Sequence, residues 1–148
     1  MANKINWDSN PALNAYLGAE LNSLANAAQV IGAAIDNSAN LNMYMDVEVL
    51  VAVQGSARSA GAHIAIYMVS SLDGGTNYGY GDATDNPPAN SLVAVLPIDA
   101  AVTARYLVSK PFLIGPGHHK LVIENNTGQA FKADTNTLKY RVFSEELQ

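Results

Sequence analysis

The chain has 148 residues, 49% of them hydrophobic and only 14% charged, with a net charge of −5 and no cysteine. These figures fit one domain with a core of its own and exclude disulfides, thiolate metal sites and a cysteine nucleophile. Eight Lys and Arg, no two adjacent, on an acidic chain leave no footprint for nucleic acid.

In chain order, the opening MANKINWDSN lacks the apolar run of a secretory leader, and no stretch approaches the ~20 apolar residues that span a bilayer. The sequence thus predicts a protein made in a cytoplasm, with no membrane partner. Leu13, Leu17, Leu21 and Leu24 are spaced by four, four and three, which is one face of a helix. Asn10 before Pro11 suits its N-cap, while Gly18 weakens it by ~1 kcal/mol. The Asn and Ala content fits an extended arm equally well. Residues 1–27 are therefore read as an N-terminal arm or short helix, and residues 28–148 as the main domain. The run AQVIGAAI (28–35) is a first strand or a helix end, and periodicity cannot choose.

From residue 43 the pattern changes to period two. Met43, Met45, Val47, Val49, Val51 and Val53 make one apolar face of a strand. Ile64, Ile66 and Met68 repeat it, and Leu92, Ala94 and Leu96 give another strand stopped by Pro97. Residues 104–109, then Leu121 with Ile123, then Leu138, Tyr140 and Val142 supply three more. Short strands separated by Gly, Pro and Asn turns, with no helices between them, predict an all-β, antiparallel β-sandwich of jelly-roll-like form. A partly open barrel is the alternative.

After the second of these strands comes SSLDGGTNY (70–78). Ser71-x-Asp73-x-Gly75-x-x-Tyr78 resembles the Asp-box hairpin of sialidase-like propellers, where the motif is a structural turn. Its physics is local: an Asp carboxylate accepts nearby backbone N–H groups and Gly supplies positive φ. Two functional readings compete with the turn. Asp73, Asn77, Asp82 and Asp85 could offer oxygens to calcium, although they lack the spacing of an EF-hand loop. Tyr78 and Tyr80 could stack on a sugar. His63, His118 and His119 are too few and ill-placed for zinc. Glu20, Glu48, Glu124, Glu145 and Glu146 have no context for paired-acid chemistry, and no Gly-x-Ser-x-Gly elbow is present. The sequence predicts no enzyme, no metal and no cofactor.

Four ordered segments, 19–49, 70–99, 104–131 and 136–146, resemble small virion proteins of tailed bacteriophages. The most distinctive pieces are Glu20-Leu21-Asn22-Ser23-Leu24, Asp36-Asn37, Asn86-Pro87-Pro88-Ala89-Asn90 and Asn125-Asn126-Thr127-Gly128. The resemblance implies a structural role on the capsid exterior, as a decoration or cement protein binding the major capsid protein and itself, as a homodimer or homotrimer. A tail or baseplate component, or a carbohydrate-binding jelly-roll module, is the alternative. In that role Trp7, Leu13, Tyr16 and Leu17 would anchor the arm on its partner, and Asp73, Asn77, Tyr78 and Tyr80 would form an exposed contact loop.

Overall fold

The computed structural model describes residues 5–7, 11–79 and 86–147. These form twelve strands: β1 (Ile5–Trp7), β2 (Asn14–Leu17), β3 (Gln29–Ile31), β4 (Ile35–Asp36), β5 (Tyr44–Val51), β6 (His63–Ser71), β7 (Leu92–Pro97), β8 (Arg105–Val108), β9 (Phe112–Leu113), β10 (His118–Asn126), β11 (Thr137–Phe143) and β12 (Glu145–Leu147). One sheet runs β3-β10-β6-β7, with β4 also on β10; the other runs β2-β11-β5-β8, with β9 also on β5. β1 and β12 make a separate two-stranded ribbon. All pairings are antiparallel, and the chain crosses repeatedly from one sheet to the other. The fold is the antiparallel β-sandwich that the period-two runs predict.

The core lies between the sheets. Met45, Val47, Val49 and Val51 of β5 face Ile64 and Ile66 of β6 and Leu121 and Ile123 of β10, all at 1% exposure or less. Each such side chain contributes roughly 1.5–3 kcal/mol by leaving water. The apolar face of β5 is shorter than its sequence pattern, because Met43 and Val53 are exposed. Beyond Val51 the ladder gives way to side-chain bonding: the Ala52 N–H donates to Asn136 Oδ1 at 3.0 Å.

The N-terminal region departs from the helical expectation. Leu13, Leu17, Leu21 and Leu24 do not share a helix face. Residues 14–17 are extended and pair with β11, and within residues 11–27 only Ala19–Leu21 are helical, as a single 3-10 turn. Ser23 and Ala27 then adopt positive φ, which no α-helix through them would allow. Sheet pairing and core burial override the leucine periodicity: Leu17 is 5% and Leu21 0% exposed, both inside the sandwich.

Three buried asparagines tie the loops to this core. Asn125, fully buried, donates from Nδ2 to the carbonyls of Leu24, Ala25 and Gln129 and accepts the Thr127 N–H on Oδ1. Asn37 holds Asn42 and Gly115 in the same manner, and Asn136 holds Ala52 and Lys132. A buried carbonyl or N–H left without a partner is costly, so these side chains stand in for ladder bonds where the strands end.

Candidate functional site

The SSLDGGTNY stretch is a self-contained turn. Asp73 Oδ1 accepts the Ser71 hydroxyl at 2.6 Å and the backbone N–H groups of Thr76 (3.1 Å) and Asn77 (2.8 Å). Its Oδ2 accepts Asn77 Nδ2 at 2.6 Å. The Asn77 N–H, then the Ser71 hydroxyl and the Asn77 amide, hold the Asp73 carboxyl well below the usual carboxylate range. Gly74 and Gly75 both take positive φ, the conformation the turn needs. Both carboxylate oxygens of Asp73 are thus committed to the turn. Among the described residues no group of three or more His, Asp or Glu could hold a metal ion. Asp82, Asp85 and Tyr80 lie outside the described residues.

Tyr78 is not an open platform. Its ring sits under Lys120 Nζ at 4.2 Å from the centroid, and its hydroxyl is buried without a hydrogen-bond partner. The neighbouring His118 Nε2 lies 3.5 Å from Asp36 Oδ2, and the Ser38 hydroxyl and N–H, with a smaller effect of His118, pull the Asp36 carboxyl down.

Among the arm residues, Trp7 is placed by its backbone, opposite Glu145 in the terminal ribbon. Tyr16 and Leu17 belong to the chain's own sandwich. The Tyr16 hydroxyl accepts the Leu121 N–H at 2.9 Å and donates to the Ala33 carbonyl at 2.7 Å, joining β2 of one sheet to β10 of the other. Burial, the largest cause, raises its phenol well above the usual range. Gly32 makes the seat: a Cβ there would lie 2.3 Å from the Tyr16 ring. Tyr16 also meets the Tyr140 ring edge-on at 5.7 Å. The β2/β3 side of the sandwich is therefore closed, and of Leu13, Tyr16 and Leu17 only Leu13, at 45%, is exposed.

The opposite side is open. β7 ends one sheet and β8 ends the other. Between them runs a groove of about 500 Å³, lined by residues 93–97 and 106–111. Val95 (48%), Tyr106 (67%) and Val108 (62%) stand exposed on its rims, and Leu113 (68%) continues the line on β9. Round the rim, Leu13, Val47, Glu48 and Val108 line a second hollow of about 210 Å³ with Asp46 and Arg141. There Arg141 grips Asp46 through Nε at 2.8 Å and Nη2 at 2.7 Å, and that hydrogen bonding raises the Arg141 guanidinium further. Of the residues lining the main groove, Lys110 alone is charged. This seam escapes the sequence reading because Tyr106 and Val108 look like any outward pair on a strand. That they sit on a sheet edge is a property of strand order, which no local pattern carries.

No family model matches the chain, and no curated protein matches it. Among solved structures it is similar to CBM35 from Cellvibrio japonicus Abf62, at 12% identity over 98% of this chain and 96% of that one, with a TM-score of 0.47. It is also similar to a Paenibacillus sp. cycloisomaltooligosaccharide glucanotransferase complexed with cycloisomaltoheptaose, at 11% identity and a TM-score of 0.41, over 95% of this chain but 18% of that one.

Proposed function

We propose that the chain is a structural protein of a tailed-phage virion, a decoration or cement protein that seats on the outside of the head and joins major capsid subunits through the β7/β8 seam. The observation that carries this reading is the asymmetry of the sandwich. One side is sealed by Tyr16, Leu17 and Leu21, whereas the other presents an apolar groove flanked by exposed Val95, Tyr106 and Val108. Exposed apolar surface of this kind is characteristic of sites that meet another protein. A chain with only 14% charged residues is also cheap to desolvate against a partner. The virion assignment comes from the four ordered segments that resemble phage structural proteins. Several copies, themselves paired as a dimer or trimer, would make individually weak contacts cumulative. The reading assigns no catalytic step and no cofactor.

The test uses head shells of the encoding phage purified without this chain. The wild-type protein is expected to co-sediment with them, and the Val95→Asp, Val108→Asp double variant to remain in the supernatant while melting as wild type does. Failure of the wild type to co-sediment would overturn the reading. A glycan-binding reading is favoured by one feature: Tyr106 lies exposed on the outer face of its sheet, in register with Leu50 of β5. It requires retention on a glycan array that Tyr106→Ala abolishes.

A further inference from the structure

The backbone of the seam specifies how a partner would be held. The Ser109 N–H donates to the Val47 carbonyl at 3.0 Å. In an antiparallel ladder, alternate residues turn their N–H and C=O to the same side. Leu107 and Arg105 are therefore turned towards β5, in register with Val49 and Val51. Tyr106 and Val108 are turned away from it, towards the open edge of the sheet. Across the groove, the Ile98 N–H donates to the Ala62 carbonyl at 3.0 Å, which by the same alternation turns Val95 of β7 to its own open edge.

Proteins usually blunt such edges with charge, proline, a bulge or a very short strand, and here the four-residue β8 is followed by Lys110 and Pro111. The open-edge residues of β8 are a tyrosine and a valine, 67% and 62% exposed. An edge with both unpaired main-chain groups and apolar side chains suits an extended polypeptide, which satisfies the two together. Charge narrows the occupant. Residues 93–97 and 106–111 contain Lys110 and no carboxylate. A second copy of this chain offering the same edge would bring another Lys110 and no acid to meet it. A strand from a different protein, apolar with one acidic residue, completes the site.

We propose that an extended segment of the shell subunit adds as a strand to the free edge of β8. Its main chain pairs with Tyr106 and Val108, its apolar side chains fill the groove towards Val95, and a carboxylate meets Lys110. This rests on the reading of the chain as a shell-attached protein.

The experiment measures binding of the full chain to shells purified without it, for the wild type, Val108→Pro and Val108→Thr. Proline removes the outward N–H of Val108 and leaves the bonds between β8 and β5 in place, whereas threonine keeps the N–H at nearly the same volume. Val108→Pro is expected to weaken binding by about tenfold or more, and Val108→Thr by less. Hydrogen exchange on the wild type provides the second readout: the Tyr106 and Val108 amides should exchange freely in the unbound chain and become protected on shells. If Val108→Pro binds as wild type does, or if these amides stay unprotected on shells that retain the protein, strand addition is overturned while shell attachment stands. Protection in the unbound chain, with a dimer by sedimentation, would assign the edge to a second copy and overturn the proposal. If the wild type does not bind shells, the functional reading falls and the proposal with it.

Discussion

Asp73 shows how far one side chain can specify a turn. Its two oxygens collect four donors from Ser71, Thr76 and Asn77. Because the folded carboxyl sits below its unfolded value near 3.9, its contribution is complete above that value and is lost as pH falls through it towards the folded value. Asp73→Asn should therefore melt a few degrees below wild type at pH 7. The gap should hold down to about pH 5 and narrow below about pH 4. Calorimetry of both proteins across that range checks it, and a gap that does not change with pH would mean that the charge contributes nothing. The turn was legible because its chemistry is local. Asn125 was not, since its partners include Leu24 and Ala25, 101 and 100 positions away. Asn125→Ala would take one donor from each of three carbonyls, which keep the Phe131 N–H, the Ala28 N–H and the Thr127 hydroxyl, and would leave the buried Thr127 N–H without its partner, so a loss of about 1–3 kcal/mol in urea unfolding is expected.

At the scale of elements, the long strands β5, β6, β10 and β11 could be read from the sequence because each carries apolar residues at alternate positions. The short ones could not. β2 has four residues, and its leucine falls in a series that also fits a helix. What decides between them is pairing with β11 and the Tyr16 bond to β10, both set by residues more than a hundred positions away. The two leucines at the ends of this segment should then behave differently. Leu17→Ala opens a hole between the sheets and should cost about 2–5 kcal/mol. Leu13→Ala, on the surface, should stay within about 0.5 kcal/mol. Chemical denaturation of the two variants measures both, and equal small effects would return the segment to the status of a detachable arm.

For the molecule as a whole, the distribution of closed and open edges matters more than any single residue. The sandwich invests Tyr16, Leu17 and Leu21 in sealing one side and leaves β7 and β8 apart on the other. The ion pairs Arg141–Asp46 and Arg105–Asp99 lie elsewhere than in the lining of the main groove, whose lone charge is Lys110. If the groove is the attachment surface proposed above, binding there should depend on apolar contact and main-chain pairing, with at most one exposed ion pair added. Such a pair is worth about 0–1 kcal/mol and is screened by salt. Shell affinity should fall by no more than about fivefold between roughly 0.05 and 0.5 M NaCl. Burial of apolar surface should also give binding a negative heat-capacity change. Titration calorimetry at several salt concentrations and temperatures reads both quantities. A fall of a hundredfold across that salt range would require many charge contacts, which the groove does not have, and would move the attachment surface to the acidic remainder of the chain.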